Sequence, residues 1–178
     1  RGKWLKSELG GTELKGKTMG MMGTGRIGCS VAKKAKPFGM KIIGYDIVEN
    51  EDFKDIGGEY VGLKELLMES DYITLHLPLT PETKHLIGEE EIEMMKESAV
   101  VVNVARGGVV DEEALKEALK EEKIGGACLD VYANNPIEDE SFLDLKNCIL
   151  VPHLGASTEE AQRGVGLLAA EKVKEILG

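Results

Sequence analysis

Arg106 and His153 are the side chains in this sequence best placed to do chemistry. Arg106 follows an apolar run at 99–105 and precedes Gly107 and Gly108, which let another group approach its backbone. Solubility alone does not call for an arginine in that setting. A forked guanidinium suits a carboxylate held through two hydrogen bonds, the plainer alternative being an ion pair with Asp111. His153 stands in Val151-Pro152-His153-Leu154-Gly155-Ala156-Ser157-Thr158, between an apolar stretch and a helix start. An imidazole can take or give a proton near neutral pH, as the interconversion of an alcohol and a ketone requires. Of the other histidines, His85 reads as solvated loop and His76 as a hydrogen-bonded group at a strand end.

Those side chains need a frame, and the frame starts at Gly20-Met21-Met22-Gly23-Thr24-Gly25-Arg26-Ile27-Gly28. A short apolar strand over 17–22 runs into Gly23, Gly25 and Gly28, spaced G-x-G-x-x-G. The first glycine permits a tight turn, the second lets backbone approach a pyrophosphate, and the third lets a helix pack closely on its strand. A helix starting there points free N–H groups and its positive dipole end at phosphates. Ile27, Val31, Ala35 and Phe38 recur at helical spacing and are expected to cover the sheet. The apolar run at 40–45 then ends in Asp46, 18 positions after Gly28, where this fingerprint places the acid that holds the adenosine ribose. Together the three parts predict dinucleotide binding. A carboxylate at Asp46, with no arginine after it, favours NAD over NADP, because it accepts from a free ribose hydroxyl and repels a phosphate.

Further strands are expected near 59–61, 71–77, 99–105, 126–131 and 148–151, and helices over 63–68, 89–95, 111–119 and from 159 onward. Residues 47–58 and 132–147 read as loops. Thr80-Pro81-Glu82 resembles a cap followed by proline at a first helical position. The run at 99–105 lacks alternation, the mark of a strand buried on both faces. Asp111 caps a helix carrying Ala114, Leu115, Ala118 and Leu119. Ser157-Thr158-Glu159-Glu160 reads as a capping box, opening a helix whose Ala161, Val165, Leu168, Ala169, Val173 and Ile176 form one face. Strands alternating with helices imply an α/β, Rossmann-type, doubly wound and mostly parallel sheet with helices on both faces. Ligands of such sheets lie beyond the carboxyl ends of the strands, where Asp46, His76, Arg106, Asp130 and His153 fall. Residues 1–16 read as a connecting arm and 17–178 as the dinucleotide-binding domain.

Composition narrows the remaining classes. The 178 residues carry a net charge of −10, with 32 acids against 22 bases, so the basic footprint of a nucleic-acid binder is missing. Aromatic residues make up 4%, too few for a base-stacking platform. No apolar run approaches the roughly 18 residues of a membrane span. Cys29, Cys128 and Cys148 are far apart in sequence and show neither a disulfide framework nor a metal spacing, which points to a reduced, cytoplasmic protein. The chain begins without an initiator methionine, so a longer protein is expected.

The motifs resemble the nucleotide-binding domain of the D-2-hydroxyacid dehydrogenases, and within them the D-3-phosphoglycerate dehydrogenases. The matching pieces are Gly23-Thr24-Gly25-Arg26-Ile27-Gly28, Gly44-Tyr45-Asp46, Leu77-Pro78-Leu79-Thr80-Pro81-Glu82-Thr83, residues 103–110, Leu129-Asp130-Val131, and residues 152–162, the last pointing most to phosphoglycerate dehydrogenase. The resemblance implies that Gly23, Gly25, Arg26, Ile27 and Gly28 meet the pyrophosphate of NAD and Asp46 the adenosine ribose. Leu77, Pro78 and Thr83 would lie on the adenosine side. Val104 and Ala105 would line the nicotinamide, with Asp130 holding its carboxamide and Gly155 close by. Arg106 would bind the carboxylate and carbonyl of a 2-hydroxy or 2-oxo acid, and His153 would be the acid/base. Relatives are commonly homodimers, and they build a substrate domain mainly from residues outside the stretch present here.

One position departs from the family. Where a glutamate usually pairs with the catalytic histidine, the sequence reads Ala133-Asn134-Asn135-Pro136, so Asn135 stands in its place. An amide can orient an imidazole but cannot offset its positive charge, unless Glu138 supplies that charge instead. The leading expectation is hydride transfer between C2 of a D-2-hydroxy acid and NAD. The alternative is an NAD-responsive binding module without activity.

Overall fold

The computed structural model describes residues 10–134 and 140–177. Seven strands form one sheet: β1 (Thr18–Met22), β2 (Lys41–Tyr45), β3 (Glu59–Tyr60), β4 (Tyr72–Leu75), β5 (Val100–Asn103), β6 (Gly126–Leu129) and β7 (Cys148–Leu150). Their order is β3-β2-β1-β4-β5-β6-β7, and every pairing is parallel. The order reverses between β1 and β4, which opens a crevice at the carboxyl edge.

Among the described residues five α-helices lie in the connections, α1 (Arg26–Ala35), α2 (Glu51–Asp55), α3 (Leu63–Glu69), α4 (Glu89–Glu93) and α5 (Glu112–Lys120), and a sixth, α6 (Glu159–Leu177), follows β7. Adjacent residues of the central strands serve opposite faces. Met22 and Ile43 join Leu66, Leu67, Ile73, Leu75, Ile92 and Leu115 beneath α3, α4 and α5. Met21 and Ile42 join Cys29, Ala32, Ala35 and Phe53 beneath α1 and α2. Each Leu, Ile, Met or Phe side chain withdrawn from water here contributes about 1.5–3 kcal/mol, and this two-sided burial holds the sheet edge in place for the site.

Of the expected stripe on α1, Ala35 is buried and Val31 packs at the edge of the core, but Ile27 and Phe38 do not face it. Gly28, Cys29, Ala32 and Ala35 are the buried residues, whereas Ile27 is 67% exposed and Phe38 also lies outside the core. Close packing selects small side chains: a Cβ on Gly28 would run into Gly23 O. Phe38 belongs to a separate 3-10 turn (Lys36–Phe38) with Pro37 near its start.

The loop expected over 47–58 contains α2, capped by Asn50, whose side chain accepts from Asp52 N at 3.0 Å. Its one buried residue, Phe53, explains why a charged stretch orders. Thr80-Pro81-Glu82 starts no helix, only an isolated turn in which Lys84 N–H donates to Thr80 O at 2.9 Å. The chain must turn back there so that Ile87 can pair with Val110. In β5, Val101 and Asn103 are buried while Val100 and Val102 are only half-buried, so the double burial expected of that run is incomplete.

Thr158, rather than Ser157, caps α6: Ala161 N–H donates to its hydroxyl at 3.1 Å. None of the residues in α6 is buried, so its expected apolar face covers nothing among the described residues, and Val165, Leu168, Val173 and Ile176 stand exposed. At the other end, Leu14 packs against the α1 side of the core, and Gly16 N–H donates to Gly39 O at 2.9 Å. The last residues of the expected arm are thus fastened to the body.

Candidate functional site

At the end of β1 the chain makes a glycine turn and enters α1. Gly23 has φ +94°, and its N–H donates to Tyr45 O at 2.9 Å. A Cβ there would lie 2.7 Å from His76 O, and one on Gly25 would meet nothing. The start of α1 has no side-chain cap and no acidic residue in its first turn. Its N-terminal N–H groups and dipole therefore suit an anion, and the open side of Gly25 leaves room for one, as a diphosphate requires. Arg26 and Ile27 face outward beside that turn.

Asp46 follows β2 directly. Its Oδ2 accepts from Thr24 N (2.7 Å) and Thr24 Oγ1 (3.2 Å), and its Oδ1 accepts from Ile47 N (2.8 Å). The carboxylate is thereby bound to the second residue of the glycine motif. Ile47, at 93% exposed, and Val48 lie bare beside it. An apolar pair inside a charged loop was the available signal for them.

Beyond β4, burial pushes the His76 pKa down to about 4, and its Nε2 lies 3.1 Å from Thr74 Oγ1. This imidazole is neutral packing beneath the glycine turn, a hydrogen-bonded group at a strand end as expected. Leu77 is half-buried and Pro78 exposed. The Thr83 hydroxyl donates to Pro78 O at 2.6 Å and accepts from Thr80 N at 2.8 Å, so in this structure it shapes the loop after β4.

Beyond β5, buried Asn103 organises the next turn. Its amide donates to Arg106 O (3.0 Å), and its carbonyl oxygen accepts from Ala105 N (3.1 Å). Sequence reasoning gave Asn103 no role of its own, although a polar residue ending a run of valines was a visible sign. Arg106 is exposed and Nη1 donates to Ala105 O at 2.6 Å. Asp111 caps α5 through Glu113 N and Ala114 N and pairs with His85 Nδ1 at 3.3 Å. The plainer account of Arg106 is therefore not observed, and His85 is more than solvated loop: its N–H also donates to Gly108 O at 2.8 Å. A Cβ on Gly107 would strike Tyr132 O, which explains that glycine. Val104 is exposed and Ala105 buried at the same turn.

Beyond β6, Asp130 is 6% exposed and spans to the loop after β7. Its Oδ1 accepts from Leu154 N (2.6 Å) and its Oδ2 from Gly155 N (3.1 Å). His153, immediately before, has φ +54°, and its N–H donates to Val151 O at 3.1 Å. Its side chain is exposed. Asn135 and Glu138 lie outside the described residues. Arg106, Asp130 and His153 thus stand after three adjacent strands, on the edge that also carries the glycine turn and Asp46. Among the described residues no group of three or more His, Cys, Asp or Glu is placed to hold a metal ion.

The family model of the D-isomer specific 2-hydroxyacid dehydrogenase NAD-binding domain matches residues 1–155. The chain belongs to this family. It is 52% identical, over 99% of its length and 34% of the relative's, to D-3-phosphoglycerate dehydrogenase of Methanocaldococcus jannaschii. It is 49% identical to glyoxylate reductase of Thermococcus litoralis, over 97% of this chain and 54% of that one. Hydroxypyruvate reductase of Thermotoga maritima is 50% identical, over 99% and 58%. Among solved structures, D-lactate dehydrogenase from Aquifex aeolicus, complexed with NAD and lactic acid, superposes with a TM-score of 0.88 at 38% identity, covering 96% of this chain and 56% of that one. The chain spans between a third and three-fifths of the length of these relatives. Family membership makes this an NAD-binding domain, in keeping with the uncapped turn at Gly25 and the acid at Asp46.

Proposed function

We propose that this chain is the cofactor half of an oxidoreductase that interconverts a D-2-hydroxy acid and its 2-oxo acid. NAD, when bound, supplies the hydride acceptor. The turn at Gly23, Gly25 and Gly28, with Arg26 and Ile27 beside it, holds the diphosphate, and Asp46 takes the adenosine ribose. Leu77, Pro78 and Thr83 flank the adenosine side, while Val104, Ala105, Asp130 and Gly155 line the nicotinamide end. Arg106 binds the substrate carboxylate by two hydrogen bonds, which orients C2. His153 accepts the C2 hydroxyl proton during oxidation and returns it during reduction.

The observation that carries this reading is the pair of anchored turns. Asn103 holds the backbone around Arg106, and Asp130 holds the backbone after His153, so buried groups anchor the turns that follow β5 and β7, on either side of β6. The relatives bear the names of different substrates at nearly equal identity. 3-Phosphoglycerate is the substrate we favour, on residues 152–162. We also take the protein to be a cytoplasmic homodimer, to be checked by sedimentation. No helix among the described residues is long and apolar enough to cross a membrane.

The isolated chain, lacking the substrate half, is expected to bind NAD and turn over poorly, so the test is an assay of the full-length protein for NADH formation with 3-phosphoglycerate, D-lactate and D-glycerate, and for NADH oxidation with glyoxylate and hydroxypyruvate, each repeated with NADP(H). Turnover of one acid with NAD at least tenfold better than with NADP is expected. NADH binding without turnover of any acid would favour the binding module, which Asn135 motivates.

A further inference from the structure

We infer that Tyr60 is a positioning residue for the ribose-binding acid: its hydroxyl heads a one-way chain of hydrogen bonds that ends on Asp46 and holds that carboxylate ready for a ribose diol. This rests on the reading of Asp46 as the ribose acceptor.

The chain's direction follows from donor and acceptor capacity alone. An ionised carboxylate only accepts, so across the 3.2 Å between Thr24 Oγ1 and Asp46 Oδ2 the threonine must donate. Thr24 has one hydroxyl proton. Across the 2.5 Å to the Tyr60 hydroxyl it can therefore only accept, and Tyr60 donates. Tyr60 has then committed its own proton and accepts from Asn50 N–H at 2.7 Å. Asn50 also ties off the other side of Thr24, its side-chain amide donating to Thr24 O at 2.9 Å. Every group in the series has one orientation, and Asp46 fixes it.

The series is rigid as well as directed. Thr24 is 1% exposed. The Tyr60 ring lies against Phe53, with centroids 5.1 Å apart at 57°. Phe53 is wholly buried in space left by Gly44 and Gly58, where a Cβ on either would strike the ring. This contact braces the half-buried Tyr60 ring, and Thr24 cannot turn its proton away from Asp46 without leaving a partner unpaired. With Thr24 N and Ile47 N also donating, both oxygens of Asp46 are pinned from the protein side. Oδ2 is then fully engaged by Thr24, which leaves Oδ1, held closely by Ile47 N and only at 3.5 Å by Val48 N, as the oxygen to which a ribose hydroxyl would donate and near which a phosphate would be repelled. A preorganised acceptor of this kind binds without first being ordered.

The experiment is a double-mutant cycle read by NADH and NADPH fluorescence titration of the protein. Tyr60→Phe keeps the ring and removes the hydroxyl. It should raise the Kd for NADH three- to tenfold, lower the NADH/NADPH preference by a similar factor, and leave kcat at saturating NAD unchanged. In an Asp46→Ala background, Tyr60→Phe should add less than twofold. An equal loss in both backgrounds, or no loss in the unaltered protein, overturns the inference while leaving the ribose reading intact. No effect of Asp46→Ala on NADH binding overturns both. If Tyr60→Phe fails to fold, Thr24→Ala cuts the same chain one link nearer and must show the same dependence on Asp46.

Discussion

The two ends of the carboxyl edge are finished to different degrees. Around β1–β3 the polar groups are interlocked: Thr24 is buried, Asp46 takes donors on both oxygens, and Tyr60 and Asn50 brace them from behind. Around β5–β7, among the described residues, Asn103 and Asp130 anchor the backbone and Arg106 makes one side-chain bond, to Ala105 O, while the Arg106 and His153 side chains and the whole stretch 151–160 are exposed. The difference matches two tasks. A cofactor common to a family is best met by a rigid, preordered surface, whereas groups that touch a reacting acid need their positions set but their final hydrogen bonds left to form with the substrate.

Removing the reactive group at the loose end should have the largest effect. His153→Asn, chosen because asparagine tolerates the positive φ of that position, is expected to lower kcat by about 10²–10⁴-fold. The Kd for NADH should stay within twofold. Steady-state kinetics beside a fluorescence titration measure both, and parallel losses would erase the distinction between the two ends.

Next in size is the pH response of the tight end. His76 is held neutral by burial, its pKa falling from 6.5 to about 4. The unfolded chain therefore binds an extra proton between those values. Stability is complete above about pH 6.5 and declines as pH falls toward about 4, by up to about 3 kcal/mol. Thermal unfolding followed from pH 7 to pH 4.5 should show a shallower decline in His76→Gln. An unchanged slope would mean that the imidazole beneath the glycine turn is not what senses acid.

Gly25→Ala sharpens the comparison further, because the added methyl meets nothing in the protein. The melting temperature without ligand should move by less than about 2 °C, yet NADH should bind roughly tenfold more weakly, since the methyl occupies space the diphosphate needs. Unaltered binding would show that the ligand does not approach this turn. The smallest expected effect belongs to Asn135→Glu. On the reading that Asn135 takes the place of the family's glutamate, a carboxylate there would favour the protonated imidazole of His153, so the acidic limb of the pH–rate profile for alcohol oxidation should move toward higher pH. A profile identical to that of the unaltered protein would remove Asn135 from the mechanism.

Which features could be read in advance depended on how local their causes are. The G-x-G-x-x-G turn, the acid closing β2 and the Asp111 cap each arise within a few residues and are found where expected. The face of α1 is set instead by what lies under it, so the shortest side chains, rather than the most apolar, turn inward. Helical spacing alone could not separate those alternatives. Likewise Ser157 and Thr158 are both competent caps, and only the entry of the chain into α6 chose Thr158.

By itself, then, the sequence determined the order of the strands and of the longer helices, the family, and which polar residues end the strands, because strand, turn and cap preferences act over short spans. The tertiary structure alone decided how those residues are wired. Tyr60 reaches Thr24 across 36 positions, Asp130 reaches Leu154 across 24, and Asp111 holds His85 where an arginine stood nearer in sequence. Such contacts exist only after parallel strands have been laid side by side, since it is the sheet, with its spacing and fixed direction, that brings one strand's end within hydrogen-bonding distance of another's.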